Sequence, residues 1–543
     1  MTKRGVLSLA VGALLLAGVA APAFADPPVL PEDKVKTSPV NIPPVPRGMP
    51  DLTPYWAFDP PKSPLFDLKN LTVSGDMRVR PEFRTNATFN VSTGAPSSTP
   101  NKQNDWYVQQ WARLGIDYAV SPDVDFFIQP QWAKNWGAAN VSGAGIASGP
   151  GSPCGAGICA NDSFNVGQGD SLFLRQAFMM IRNVGVQNLN IKAGRQLIVM
   201  GNHRLFGHFD WANTGFSHDG VTVQYSQPTW ELWGGWLRAA EFDFASFGAN
   251  TSSFGVVPPG VSNNTSGRTG GSDANMMFTR FAWKPMAGLS LEPLWVWFKN
   301  DTPATGGPAA TSVLAAHAAS QSRHTVGGRA ALRKGMFDGT AEGYYQFGTM
   351  NLLGGNGLHI SAYALAFEGG ITLPGSWAPR VGAEFNYASG DGDGLNCNST
   401  TGAGCNGTAN TFENLYPTNH IVMGYADLMS WRNMVAYSAS FQFKPMGYAA
   451  NHFEFRYWNF RKANSGDAWY RAAQNAYFTN DNGRSHLFDE IDFIYTLFFK
   501  GNKVAWQTGV SYMFAGSFVD GQATGGLQAS NQTWGYTQLH INF

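Results

Sequence analysis

The sequence predicts an all-β, membrane-spanning antiparallel barrel of about eighteen strands, with short turns at one rim and long loops at the other. Three observations carry this. Segments of alternating apolar and polar residues recur from Leu71 to Phe543. Their connections alternate between tight turns and long loops. After the first 25 residues, no apolar stretch reaches the ~18 residues that a spanning helix needs.

Composition agrees. Charged residues make up 14% of the chain, against about 25% in soluble proteins. Aromatics make up another 14%, and there are 63 glycines. Aromatic girdles and open loops use that mixture.

Residues 1–25 read as a secretory signal. Lys3 and Arg4 form the basic start, Val6 to Ala20 the apolar core, and Ala23-Phe24-Ala25 the cleavage site. Its removal leaves 35 basic and 37 acidic residues, a net charge of −2, which argues against a nucleic-acid partner. Residues 26–70 are rich in proline and read as an extended periplasmic leader. The barrel is assigned to 71–543.

The first predicted strand, Leu71–Arg84, sets Val73, Met77, Val79 and Phe83 against Asp76, Arg78, Arg80, Glu82 and Arg84. Side chains alternate across a strand, so one face is apolar and the other strongly charged. Further strands are expected near 107–118, 124–134, 172–182, 189–196, 220–226, 229–238, 275–284 and 289–299. The rest fall near 324–333, 338–347, 360–373, 379–388, 434–444, 452–461, 487–499, 504–514 and 532–543. Tight turns such as Gln227-Pro228 and Gly335-Met336 alternate with long connections such as 135–170 and 389–432. The last strand, with Thr537, Leu539, Ile541 and Phe543 on one face, is expected to close the barrel against the first.

If the apolar face meets lipid, the polar face lines a lumen. That face should carry Arg78, Arg80, Arg84, Arg113, Arg175, Arg280, Arg329, Arg333, Arg380 and Arg456, braced by Glu384, Glu454 and Asp492. A guanidinium stays charged and offers a planar fork of donors to carboxylates and hydroxyls. A static ladder of paired charges would use the same residues. Arg195 is ambiguous: the alternation of Leu189, Ile191 and Ala193 points it outward unless a bulge resets the phase.

Cys154–Cys159 and Cys397–Cys405 are two local pairs in polar loops, expected as disulfides in an exported chain. No histidines stand near them at ligand spacing, so no metal is expected. His203, His208, His218 and Ser217 lie close together, but no nucleophile motif surrounds them; no catalytic residue or cofactor is expected.

Two loop-proximal stretches are more specific. One runs Gly194-Arg195-Gln196, Gly201-Asn202-His203-Arg204-Leu205, Asp210-Trp211 and Asp219-Gly220. The other runs Tyr387-Ala388-Ser389-Gly390-Asp391, then 411–420 (TFENLYPTNH), then Gly424-Tyr425-Ala426-Asp427. With the barrel pattern, these resemble the alginate-export family of bacterial outer-membrane proteins. The resemblance implies a porin-like channel for anionic or hydroxylated solutes, including export of an acidic polysaccharide such as alginate. The loops would narrow the bore, with Arg195, Arg204, Asp210, Trp211, Asp219, Asp391, Tyr416, His420 and Asp427 as constriction candidates. The expected partners are outer-membrane lipid, the barrel-assembly machinery and a small anionic or sugar solute. The alternatives are an adhesion barrel with a blocked lumen and an outer-membrane hydrolase.

Overall fold

Alternation of side chains with period two makes each strand amphipathic, and closing the sheet removes its open edges. The computed structural model describes residues 66–68, 70–86, 89–91, 104–136, 171–211, 213, 215–240, 274–300, 320–351, 357–394, 404–445, 451–472, 476–478, 482–499, 503–522 and 529–543. The signal segment, nearly all of the proline-rich leader, Cys397 and the Cys154/Cys159 pair lie outside them. Cys405 is disulfide-bonded.

Eighteen antiparallel strands form a closed barrel. They are β1 Leu71–Thr85, β2 Asp105–Ser121, β3 Val124–Asn135, β4 Ser171–Ile181, β5 Leu189–Gln196 and β6 His218–Gln227. Next come β7 Trp230–Ala240, β8 Ala274–Met286, β9 Leu289–Asn300, β10 Ser320–Lys334, β11 Phe337–Asn351 and β12 Gly357–Thr372. The last six are β13 Arg380–Ala388, β14 Met434–Phe443, β15 Asn451–Arg461, β16 His486–Phe499, β17 Val504–Ala515 and β18 Gln532–Asn542. Two short pieces join the sheet: Phe66–Leu68 against β1, and Thr408–Ala409 parallel to β12. The sheet therefore begins a few residues before the expected boundary at Leu71.

The barrel closes where β18 pairs with β1, with Arg78 opposite His540 and Val79 opposite Leu539. Asp76 accepts from Trp111 Nε1 at 2.9 Å and lies 3.0 Å from His540 Nε2, tying the seam from the lumen side. On the other side a Cβ at Gly75 would fall 2.6 Å from the Phe543 ring, so the absence of a side chain there admits the aromatic.

The outward face exposes Met77, Phe83, Tyr345, Phe347, Tyr437, Phe441 and Trp506. The inward face is polar at the wall. An apolar cluster containing Phe206, Trp211, Phe412, Tyr416, Trp431 and Trp469 lies deep in the molecule. About half of that cluster comes from connections between strands, because residues 197–211 and 409–433 fold into the bore. No helix among the described residues is long and apolar enough to cross a membrane.

Candidate functional site

The two inward segments are joined to each other by backbone. Gly207 N donates to Tyr416 O at 2.8 Å, Tyr416 N to Leu205 O at 2.9 Å, and Thr418 N to His203 O at 2.9 Å. This ladder, with a parallel bridge between Phe206 and Tyr416, satisfies main-chain groups that would be costly to bury alone. His203 (φ 69°) and Phe209 (φ 51°) bracket the crossing in the left-handed region, uncommon for residues with a Cβ. Between them the chain runs as a strap across the barrel.

Each end of the strap carries one charge. Arg204 reaches Glu384 at 2.6 Å, with Glu342 at 3.5 Å and Glu368 at 3.8 Å. These glutamates stand on β13, β11 and β12. Six residues later, Asp210 takes both arms of Arg113, at 2.9 and 3.0 Å, and Arg175 Nη2 at 2.6 Å. Those arginines stand on β2 and β4, on the far side of the barrel. Six extended residues span about 20 Å, and the two long side chains extend that reach.

The basic wall grips the strap backbone as well. Arg78 donates to Asp210 O at 2.7 Å and Trp211 O at 2.9 Å; Arg80 donates to Trp211 O at 2.8 Å. Aromatic rings interleave with these cations. Arg78 and Arg113 both lie over Trp111, 3.5 and 3.8 Å from its ring centre. Arg80 sits 3.5 Å over Trp211, which stacks on His420 at 3.7 Å and 8°. His420 is held through Nδ1, 2.9 Å from Asp427. Cation–aromatic contacts of this kind gain strength when desolvated, and Arg80, Asp210 and His208 are each 0% exposed.

Burial disfavours an ionised Asp210, but Arg113 and Arg175 outweigh it and hold the carboxyl far below its usual range. His208 is driven well down by burial, and its Nδ1 accepts from Asp210 N at 2.8 Å, a bond only an unprotonated nitrogen can make. Burial, with Arg329 nearby, pulls His203 down to about 4. The strap therefore carries neutral histidines, His203 beside Arg204 and His208 beside Asp210.

The acidic side continues along β15 and β16. Arg456 bridges Glu384 at 3.0 Å and Glu454 at 2.8 Å. Glu490 accepts from Ala426 N at 3.0 Å, and Arg84 donates to Ala426 O at 2.9 Å, so both charge signs anchor the second inward segment. Asp492 accepts from Ser511 on β17.

The remaining sequence candidates fall apart into separate places. Arg280 and Arg329 pair with Glu292 at 3.2 and 3.1 Å; Arg329 also lies beside the strap at Gly201. Arg380 forks onto Asp338 at 3.0 and 2.6 Å near the short-turn rim. Arg333 is exposed at that same rim rather than gathered with the other arginines. Asp391 accepts from Asn410 N at 2.9 Å at the base of the second inward segment. Arg195 and Asp219 are not in the constriction. No bulge interrupts β5 against its neighbours at this point, so the alternation carries both to the outer surface, paired at 2.7 Å.

Arg323 and Glu368 are among the wall residues that escaped the sequence reading. Arg323, 2.8 Å from Gln346 and 3.5 Å from Glu413, was missed because β10 begins at Ser320 and not at His324. Glu368 shares the inward phase of Ala364 and Ala366 on β12, and following that phase would have found it.

A family model described as alginate export matches residues 256–533. No curated protein matches the chain. Among solved structures, Acinetobacter baumannii OccAB2 superposes with a TM-score of 0.50 at 10% identity, covering 87% of this chain and 98% of that one. Pseudomonas aeruginosa OpdQ gives 0.49 at 12% identity, covering 88% and 98%. At 10% identity the likeness to OccAB2 speaks to the fold alone.

Proposed function

The chain belongs to the alginate-export family, and from that premise we propose that this outer-membrane channel passes anionic, hydroxyl-rich solutes, an acidic polysaccharide such as alginate among them, along its arginine wall. Family membership makes it a channel and not an enzyme. Export would follow signal cleavage after Ala25 and delivery to the barrel-assembly machinery, with the 26–70 leader left on the periplasmic side.

One observation carries the reading. Arg113 and Arg175 converge on the Asp210 carboxylate while Arg78 and Arg80 take the neighbouring carbonyl oxygens. A uronate offers the same groups: a carboxylate, and hydroxyl oxygens a few ångströms away. Its ring has an apolar face suited to Trp111 and Trp211. The strap occupies the wall as an internal stand-in, and a solute that passes must exchange with it. Such exchange keeps each guanidinium paired throughout, which avoids the cost of stripping a buried charge.

Single-channel recording in planar bilayers tests this. Conductance blocked by uronate oligomers, but not by neutral oligomers of equal length, is the expected result. Arg113→Gln with Arg175→Gln should lose that preference. Equal block by neutral and acidic sugars would sink the solute assignment. The burial of the strap favours one competing reading, a binding barrel with a blocked bore, and a chain that never conducts would decide for it.

A further inference from the structure

Arg333 and Arg380 share the inward phase of the wall arginines, yet they stand at the short-turn rim, apart from the strap. The register places them in one arc of the mouth. Arg333 on β10 lies opposite Asp338 on β11, Asp338 opposite Gly370 on β12, and Gly370 opposite Gly382 on β13. Arg380, two residues before Gly382, lies opposite Gln442 on β14. Lys444 follows Gln442 by two residues, so it keeps the inward phase just past the end of β14. His452, near the start of β15, completes the arc.

Charge in this arc is unbalanced. Among its described residues the one acid is Asp338, and Arg380 takes both of its oxygens, at 3.0 and 2.6 Å. Glycines make that reach possible. A Cβ at Gly370 would fall 2.4 Å from the Arg380 guanidinium carbon, and one at Gly382 would fall 2.6 Å from Nη1. Among the described residues, no hydrogen bond or ion pair holds the charged end of Arg333 or Lys444. Burial and the Arg333 charge both pull Lys444 below its ordinary range, so the two side chains converge although their strands are four apart in the ring. The connecting turns add no acid: they read Gly335-Met336, LPGSWAP over 373–379 and PMGYAA over 445–450. The acids two residues further from the rim, Glu368 and Glu454, face Arg204 at 3.8 Å and Arg456 at 2.8 Å.

Polar atoms without partners stand beside the two cations. Gln442 Nε2 and His452 Nδ1 make no hydrogen bond, although Gln442 is 2% and His452 7% exposed. Leaving a buried polar group unsatisfied costs about 1–3 kcal/mol, and a ligand's oxygens would relieve that cost. His452 lies close enough to Lys444 to feel its charge.

We propose that this arc is a capture site for the carboxylate of an acidic, hydroxyl-bearing solute entering from the periplasm. Arg333 supplies a planar fork and Lys444 a point charge for the carboxylate. Gln442 and His452 take the neighbouring hydroxyls. The site rests on the channel reading above and adds to it a second place of contact, on β10–β15 rather than β1–β4, and a side of entry, since short turns face the periplasm. A mouth lined by one sign of charge concentrates the opposite sign and speeds its association.

Single channels in planar bilayers test this, with trigalacturonate and neutral maltotriose added to each chamber in turn. In wild type, trigalacturonate should block roughly threefold or more faster from one chamber than from the other at about 0.1 M salt. The difference should shrink at about 1 M salt, where the charges are screened. R333Q/K444Q should slow the faster side to the rate of the slower one and leave the lifetime of each block unchanged. R333K/K444R keeps both charges and should keep the asymmetry. Heat-modifiable gel mobility checks that each variant is a folded barrel. Should the double variant not fold, K444Q alone, past the end of its strand, should reduce the difference. Equal block by the acidic and neutral trisaccharides, or a chain that never conducts, overturns the channel reading and this site with it. With acidic block intact, equal rates from the two chambers, or an asymmetry that survives in R333Q/K444Q or is lost in R333K/K444R, overturns the capture site alone.

Discussion

The two ends of the strap meet walls of opposite charge, and the walls differ in what they can tolerate. At one end, a single carboxylate, Asp210, holds Arg113 and Arg175. At the other, a single guanidinium, Arg204, serves Glu342, Glu368 and Glu384. The arrangements look like mirror images. Chemically they are not, because a glutamate that loses its partner can take up a proton, whereas an arginine cannot shed one in a protein. The basic wall therefore depends on its counter-charge more heavily than the acidic wall does. Arg456, which also bridges Glu384 and Glu454, gives the acidic wall a second source of compensation.

That asymmetry should be visible in mutants. Asp210→Ala should have the largest effect. Removing one partner of a buried pair costs about 3–5 kcal/mol, and here two arginines lose their shared carboxylate at once. Faster amide exchange across 203–211 and higher, noisier conductance are expected. Arg204→Met should loosen the strap less, by roughly half that amount, because a glutamate can neutralise itself. Its effect should also shrink as the pH falls towards 4, while that of Asp210→Ala should hold until the pH passes below the ordinary aspartate range. If the two variants behaved alike at every pH, the contrast between the walls would be wrong.

Acid should loosen the wild-type strap. His203 is neutral in the fold, with its value pulled from an ordinary 6.5 to about 4, and His208 is shifted in the same direction. Between those limits the detached strap binds more protons than the docked one, so stability falls as pH falls from 6.5 towards 4. Each histidine contributes up to about 1.4 kcal/mol per pH unit in that window. Asp210 adds a loss of the same sign below its ordinary value. Conductance measured across pH 4–7 should rise on acidification, and His203→Gln should flatten part of the slope. A wild-type slope of the opposite sign would contradict the neutral-histidine strap.

The smallest effect is expected where neither end of the strap is touched. Arg280 pairs with Glu231 at 3.1 Å and Glu292 at 3.2 Å. Arg329 also serves Glu292, at 3.1 Å. Arg280→Gln should therefore leave block by uronate oligomers within about twofold of wild type, roughly 0.4 kcal/mol. A large loss there would move solute recognition away from the strap.

Much of the barrel was legible in the sequence, and the reason is local. Val73, Met77, Val79 and Phe83 alternate with Asp76, Arg78, Arg80 and Arg84, and a two-residue period needs no distant information. The same rule placed Arg195 outward, and that position held. It failed as a guide to function there, since a motif next to inward-folding residues was read as part of the constriction. Arg323 was lost to a strand boundary drawn a few residues short, the least secure feature of any pattern.

By itself, then, the sequence determined the strand order, the alternation of turns and loops, and which side chains share a face. Tertiary structure alone decided which of the inward charges meet. Arg204 and Glu384 are 180 residues apart, and Arg113 and Asp210 are 97 apart. Every arginine on the inner face has the same local signature, whether it meets the strap, as Arg78 does, or a wall glutamate, as Arg280 does. The choice between them is made when residues 197–211 cross the bore, because a crossing chain brings its charges to walls that have no sequence proximity to it. Sequence spacing records the face a side chain occupies, while the partner depends on closure of the whole ring.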